Sequence, residues 1–114
     1  MATRSFIGIE TDNGVRGIYC HFDGYPKGVG ATLRESYTTA EAVSALIDLG
    51  DMSSLGKTLE ECQVYGRDRG EKDTEARVYP NLDAFLTAAE RVCAEWAYNF
   101  NTHSGKWEIT EIQF

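Results

Sequence analysis

The dipeptide Asn13-Gly14 constrains the fold of this chain more than any other feature of its sequence. Asn-Gly between two apolar segments is the strongest short-range signal for a β-hairpin with a two-residue turn. Segments 5–11 and 15–22 flank the dipeptide and are rich in residues that favour strands. A turn at Asn13-Gly14 fixes the register of the two strands. The predicted pairs are Ile9 with Ile18, Ile7 with Cys20, and Ser5 with Phe22.

The two faces of this predicted hairpin differ in character. The face that holds Ile7, Ile9 and Ile18 is apolar, so we expect it to pack against the core. The other face carries aromatic and polar side chains beside Gly8 and Gly17, which leave shallow gaps. That second face is the first candidate for a functional surface.

A second hairpin is predicted at the C-terminal end of the sequence. A turn at 102–105 places Phe100 opposite Trp107 and Tyr98 opposite Ile109. Side chains of similar character then face each other across both strands, which favours a strand over 94–101. The apolar residues of 93–100 also fit helical spacing, so a helix there remains the alternative.

Three helices are predicted between the hairpins. Apolar residues at helical spacing indicate a short helix over 29–37. Thr38 and Glu41 have the spacing of a capping box and begin a second helix, which Gly50 ends. Asn81 is placed to cap a third helix, whose apolar residues also follow the helical period.

The remaining segments complete a mixed fold. Segments 61–65 and 76–79 are short strand candidates, 51–56 is predicted as a loop, and 66–75 as a charged loop. We therefore predict one α+β domain over residues 1–114. Its antiparallel sheet is built from the N- and C-terminal β-hairpins, with two or three helices packed on one face.

The charge of the chain disfavours one class of partner. Eleven Lys and Arg residues against 18 Asp and Glu residues give a formal net charge of −7. Proteins hold a phosphate backbone mainly through Lys and Arg, so we expect no general nucleic-acid binding. No apolar run approaches the length of a membrane helix, and the first residues lack an apolar signal core. We expect a cytoplasmic protein that does not engage a membrane.

The three cysteines are far apart in the sequence. Cys20, Cys62 and Cys93 form no Cys-x-x-Cys pair, so we expect reduced thiols and no structural zinc. Cys20 precedes His21, which raises the alternative of a catalytic nucleophile. Neighbours along a strand point to opposite faces, so a buried thiol is the favoured interpretation.

Two polar clusters are the candidate ligand- or partner-binding site. They combine phenol rings, an imidazole, carboxylates and guanidinium groups, which suit a nucleotide-like ligand or an exposed peptide if the charged loop folds over the hairpin end. The plainer alternative is a His21–Asp23 hydrogen bond beside solvated ion pairs. The first cluster is Tyr19, His21, Asp23 and Tyr25; the second is Arg67, Asp68, Arg69 and Glu71.

No cofactor or metal is expected at these residues. His21 and Asp23 are too few ligands for a metal ion. The glycines of 24–30 match neither a P-loop nor a dinucleotide-binding fingerprint. The chain shows no complete catalytic set, so we expect no catalytic residues. An enzyme with His21 as general base and Arg67 or Arg69 stabilising charge remains the third hypothesis.

The sequence also resembles a family of small phage and prophage proteins. The resemblance rests on Thr-Arg-Ser-Phe-Ile-Gly-Ile at 3–9 and on Tyr-Cys-His-Phe-Asp-Gly-Tyr-Pro at 19–26. It continues through 29–37, 49–56, 65–71 and 105–107. The family has no assigned activity, so the resemblance implies an accessory protein of a bacterial virus and transfers no catalytic residue.

Two functions follow as hypotheses. The resemblance implies a non-enzymatic binding protein that acts on a host or defence component, as an inhibitor. The alternative is a protein that binds or sequesters a nucleotide-like small ligand. The sequence leaves the oligomeric state open.

Overall fold

The N-terminal hairpin pairs in a register that differs from the predicted one. The computed structural model describes residues 2–113. In it, strands β1 (Ser5–Thr11) and β2 (Gly14–Cys20) are antiparallel, and Thr11 pairs with Gly14. The turn residues are therefore Asp12 and Asn13, one position earlier than predicted. The observed pairs include Ser5 with Cys20, Ile7 with Ile18, and Ile9 with Arg16.

The reason for this shift lies at Gly14. Its φ of 120° is positive, whereas Asp12 and Asn13 are not among the residues with positive φ. A side chain at this position would meet the Tyr79 carbonyl, since an ideal Cβ on Gly14 lies 2.3 Å from that oxygen. Gly14 is therefore the first residue of β2 and not the second residue of the turn. Each residue of β1 pairs with a residue of β2 two positions before the predicted one. Because side chains alternate between the two faces of a strand, a shift of two leaves each side chain on its predicted face.

The C-terminal hairpin has the predicted register. Strands β6 (Trp96–Asn101) and β7 (Lys106–Glu111) are antiparallel, with Phe100 opposite Trp107 and Tyr98 opposite Ile109. The strand interpretation of this segment is confirmed, and the helical alternative is wrong.

The two hairpins belong to one sheet, and the fold is of the α+β class, as predicted. The strand order is β4-β3-β2-β1-β6-β7, and β5 also pairs with β2. The pairing differs from the prediction in one respect, because β1–β6 and β2–β3 are parallel and the sheet is mixed. The chain passes from β5 to β6 through a helix. This crossover brings the chain back to the end of the sheet where β1 begins, so β6 is parallel to β1. The short strands are β3 (Met52–Ser54), β4 (Gln63–Val64) and β5 (Arg77–Tyr79).

The helices begin close to the predicted positions. A π-helical turn (Pro26–Gly30) leads into α1 (Ala31–Ser36). Helix α2 (Ala40–Asp48) is capped by Thr39, whose hydroxyl accepts from the Ala42 N–H at 3.1 Å, and not by Thr38 as predicted. Helix α3 (Tyr65–Arg69) occupies the start of the predicted charged loop. Helix α4 (Leu82–Arg91) is capped by Asn81, as predicted. Within residues 2–113, no helix has the length and hydropathy needed to cross a membrane.

The helices cover both faces of the sheet, whereas one face was predicted. Both faces carry apolar side chains, and each needs a covering layer. Ile7, Ile18 and Tyr98 belong to the larger core, under α1 and α2. Phe6 and Phe85 belong to the smaller core, under α4.

Phe85 fills the predicted glycine gaps. Its ring packs so closely that an ideal Cβ on Gly17 would lie 2.5 Å from Phe85 Cε1, and one on Gly8 would lie 2.9 Å from it. The second face of the hairpin is therefore covered at its centre, which corrects the expectation of an open surface there. At the end of this face, Tyr19 lines a cleft together with Ala88 and Arg91 of α4.

Candidate functional site

The first predicted cluster lies at the end of β2 and in the loop after it. The Tyr19 hydroxyl and His21 Nδ1 are 2.6 Å apart, so His21 bonds Tyr19 and not Asp23. Asp23 has a positive φ of 59°, and the Tyr25 hydroxyl donates to its Oδ1 at 3.4 Å. The Tyr98 hydroxyl donates to the Gly24 carbonyl at 2.6 Å and holds this loop against the core. His21 and Asp23 thus belong to two separate hydrogen-bonded pairs.

The second predicted cluster braces the short helix α3. The Arg67 guanidinium donates to the Leu59 carbonyl at 2.9 Å, to the Cys62 carbonyl at 2.7 Å, and to Asp68. Asp68 also accepts from the Val64 N–H at 2.7 Å. The bond from Arg67 is the main cause that lowers the pKa of Asp68 below its ordinary value. These two side chains therefore hold the backbone around them, which leaves few donors for a ligand.

Tyr65 is the side chain that lies near both clusters. The Arg69 guanidinium lies 5.2 Å from the centre of the Tyr65 ring, a cation–π distance. Tyr65 is linked to Tyr19 through Asp51, whose carbonyl accepts from the Tyr65 N–H at 3.2 Å and whose Oδ1 accepts from the Tyr19 N–H at 2.9 Å. Glu71 joins this group through its backbone, since its N–H donates to the Tyr65 carbonyl at 3.1 Å. Within residues 2–113, no hydrogen bond or ion pair links His21 or Asp23 directly to Arg67 or Arg69.

A cleft of about 640 Å³ opens beside Tyr19. Aromatic rings from three strands form its apolar wall: Phe6 on β1, Tyr19 on β2 and Tyr79 on β5. The Phe6 ring lies 6.4 Å from that of Tyr19, edge to face, and 6.5 Å from that of Tyr79. A volume of this size suits a small ligand, and the rings give the cleft an apolar wall.

Three arginines surround this wall. Arg4 precedes β1, Arg77 begins β5, and Arg91 is the last residue of α4. Arg77 Nη1 lies 3.2 Å from Asp51 Oδ2, while Arg4 Nη1 donates to the Val92 carbonyl at 3.2 Å. Asp51 is the one carboxylate that lines the cleft among residues 2–113. The lining therefore carries a net charge of about +2 on a chain whose net charge is −7.

The architecture of the sheet explains why Asp51 lies here. Strands β3 and β5 share the outer edge of β2, and β3 pairs at Cys20 while β5 pairs at 15–17. The Tyr19 N–H falls between the two, and Asp51 Oδ1 accepts from it at 2.9 Å. The carboxylate completes the hydrogen bonding of this edge and at the same time orients Arg77.

The phenols of the cleft stay protonated at neutral pH. Burial is the main cause that raises the pKa of Tyr19 and that of Tyr79 above the ordinary value. Arg4 opposes this shift at Tyr19, and Arg77 opposes it at Tyr79. Both phenols are therefore neutral, and the Tyr19 hydroxyl is paired with His21 Nδ1 at 2.6 Å.

Sequence reasoning identified one residue of this cleft, Tyr19. The charged residues of the cleft are spread over the range 4–91 and form no local pattern, since only the folding of distant segments around β2 brings together Arg4, Asp51, Arg77 and Arg91. The sequence signal that could have located the cleft is limited to one pair of aromatic residues in the N-terminal hairpin. With the correct register, Phe6 pairs with Tyr19 and the two rings mark this end of the hairpin.

Comparisons of the chain with protein-family models, with curated proteins and with solved structures found no match. Within residues 2–113, no group of three or more His, Cys, Asp or Glu side chains is placed to hold a metal ion.

Proposed function

We propose that the protein binds a small anionic ligand with an aromatic part, of the nucleotide class, in the arginine-lined cleft. The observation that carries this proposal is the placement of three guanidinium groups around a wall of aromatic rings on an otherwise acidic chain. The proposal is of binding, not of catalysis.

The chemistry of the cleft supports both halves of such a ligand. Guanidinium groups present several N–H donors in a plane and match phosphate oxygens. Aromatic side chains accept a stacked base, and such stacking contributes roughly 1–3 kcal/mol per base in nucleic-acid complexes. Arg4 and Arg91 lie at the α4 end of the cleft, whereas Tyr19 and Tyr79 lie on the sheet. Phosphate and base can therefore be held at different parts of one site.

The proposal is compatible with the wider hypothesis from the sequence. On this hypothesis, a phage accessory protein in the cytoplasm of its host acts on a defence system by sequestering a nucleotide signal. That biological setting rests on the resemblance to small phage and prophage proteins alone, and it is proposed on that basis.

Thermal stability in the presence of ligands tests the binding. A ligand that binds only the folded state raises the melting temperature, and at a hundredfold excess over Kd it contributes about 2.7 kcal/mol. We expect one or more nucleoside mono-, di- or cyclic phosphates to raise the melting temperature at millimolar concentration. Arg91→Gln should reduce this shift, and the exposed Arg34→Gln, outside the cleft, should not.

Cys93 offers a second and independent readout of the same site. It lines the cleft and is exposed, whereas Cys20 and Cys62 are buried. Alkylation of the native protein should therefore label Cys93 first, and a bound nucleotide should slow that labelling. If no nucleotide either raises the melting temperature or protects Cys93, the protein does not bind this class of ligand.

A second candidate function is the binding of a host or defence protein. It is favoured by two exposed aromatic side chains on the loop after β2, Phe22 at 47% and Tyr25 at 43% exposure. Exposed aromatic residues are enriched at protein interfaces. The double variant Phe22→Ser, Tyr25→Ser should lose a partner that the parent protein captures from bacterial lysate, while Arg91→Gln should retain it. Equal capture by the loop variant would exclude this loop as the interface.

A further inference from the structure

We infer that the ligand of the cleft carries its charge as a phosphate monoester, as a nucleoside 5′-monophosphate does, and that the cleft discriminates against the cyclic phosphodiester of the same nucleoside. This inference rests on the proposed function and specifies the charge of its ligand.

The charge balance of the cleft is the first argument. Three arginines and one carboxylate leave a net charge of about +2, which a dianion neutralises and a monoanion does not. A phosphate monoester carries a charge of −1.5 to −2 at pH 7, since its second pKa is about 6. A cyclic phosphodiester carries one negative charge throughout this range. The monoester is therefore the better match to the cleft.

The donors that remain open are the second argument. Arg77 is engaged by Asp51 and by the Asp73 carbonyl, to which its Nη2 donates at 3.3 Å. Within residues 2–113 the Arg4 guanidinium makes one hydrogen bond, from Nη1 to the Val92 carbonyl, and so keeps other N–H groups for a ligand. Arg91 is exposed at the end of α4. Two guanidinium groups can thus converge on the three terminal oxygens of a monoester, where a cyclic diester offers two.

The pH dependence of binding distinguishes these ligands. The monoester gains its second negative charge as the pH rises from 5 to 7.5, so its affinity should rise over that range. The affinity of the cyclic diester should not follow this rise, because its charge stays constant. His21 contacts this lining through Tyr19, whose hydroxyl lies 2.6 Å from His21 Nδ1. The charged and titratable groups that face the ligand are Arg4, Tyr19, Asp51, Arg77, Tyr79, Arg91 and Cys93.

Calorimetric titration of the full chain provides the test. Adenosine and guanosine 5′-monophosphates and the matching 3′,5′-cyclic monophosphates are titrated at pH 5.0 and pH 7.5. At pH 7.5 we expect the monoester with the higher affinity of the two to bind roughly ten- to hundredfold more tightly than its cyclic counterpart. This is the range that a hydrogen bond between charged groups contributes. At pH 5.0 the ratio should fall toward one.

Variants separate the charge effect from a general effect on the cleft. Arg91→Gln should lower the ratio of monoester to diester affinity at pH 7.5, and Arg34→Gln should leave it unchanged. Equal affinities for the two ligands at pH 7.5, or a ratio that does not depend on pH, would overturn this inference while the proposed function stands. Absence of binding by all four ligands would overturn this inference, and the proposed function falls with it if the wider panel of nucleotides also fails to raise the melting temperature.

Discussion

At the scale of single residues, Gly8 and Gly17 show how a missing side chain determines packing. The two glycines pair with each other across β1 and β2, and the Phe85 ring lies against both. Glycine in a strand interior usually weakens the strand, and it often marks the close approach of another group. Here that group is a fully buried aromatic side chain of α4. The glycine pair thus fixes where α4 docks on the sheet.

Substitution Gly17→Ala should destabilise the protein. The new methyl group would lie 2.5 Å from Phe85 Cε1, so the ring must move within a filled core. Overpacking of this kind costs typically about 1–3 kcal/mol. We expect a loss of about 1–2 kcal/mol in the free energy of unfolding, measured by urea denaturation monitored by circular dichroism.

A double-mutant cycle isolates the contact. Phe85→Leu alone should also destabilise the protein, because it leaves space above Gly8 and Gly17. The double variant should lose less than the sum of the two single variants, since the smaller side chain makes room for the new methyl group. Additive effects would show that Phe85 and Gly17 do not compete for this space.

The candidate site shows the limit of prediction from single residues. The sequence identified the glycine gaps and the aromatic character of the face that holds Tyr19. It could not show that Phe85 fills the centre of that face. It also could not show that Arg4, Arg77 and Arg91 converge beside it, because no spacing rule links residues so far apart in the chain.

At the scale of secondary-structure elements, the outer edge of β2 is unusual because two strands share it. Strands β3 and β5 each cover part of this edge, and the Asp51 carboxylate accepts from the Tyr19 N–H between them. A buried N–H group without a partner costs about 1–3 kcal/mol. Asp51 therefore acts as a structural element of the sheet as well as the partner of Arg77.

Two substitutions of Asp51 separate these roles. Asp51→Ala removes the acceptor of the Tyr19 N–H and the partner of Arg77, so we expect a loss of about 2–3 kcal/mol in the free energy of unfolding. Asp51→Asn keeps an oxygen that can accept from Tyr19, so it should lose about 1 kcal/mol less. Both free energies come from urea denaturation at pH 7. Equal losses would assign the whole effect to the ion pair with Arg77.

The elements that the sequence predicted well are those defined by local signals. The C-terminal register followed from the turn at 102–105, and α4 from Asn81 and its apolar period. The N-terminal register was wrong because the approach of Tyr79 to Gly14, a contact between distant residues, decides which residue opens β2. Strand β3 was predicted as a loop because three residues carry no period and its partners lie far away in the sequence.

At the scale of the whole molecule, the larger core contains several groups that ionise at alkaline pH. Tyr37, Tyr98 and Cys20 are buried in it. Burial is the main cause that raises the pKa of each, and it raises the pKa of Cys20 to about 12. All three must stay neutral for the core to remain packed. The unfolded chain, in contrast, releases these protons near the ordinary values of about 8.5 for Cys and 10 for Tyr.

Stability should therefore fall at alkaline pH. Above the ordinary pKa values the unfolded state binds fewer protons than the folded state, so the free energy of unfolding decreases as the pH rises. Each such group contributes a slope of about 1.4 kcal/mol per pH unit until the pH reaches its folded value. We expect little contribution from these three groups below about pH 8.5 and a steep fall between about pH 9 and pH 11, measured by urea denaturation at intervals of half a pH unit.

Tyr98→Phe tests which group carries this dependence. Its hydroxyl donates to the Gly24 carbonyl at 2.6 Å, so the variant should lose about 1–2 kcal/mol at neutral pH. Above about pH 10 its free energy of unfolding should fall less steeply than that of the parent, by about 1.4 kcal/mol per pH unit, because one titrating group is gone. The exposed Tyr25→Phe is the matched control, because it removes a phenol that lies outside the larger core. A parental slope in Tyr98→Phe would mean that Tyr98 ionises at the same pH in the folded and unfolded chain, and alkaline unfolding would then have to begin elsewhere in the core.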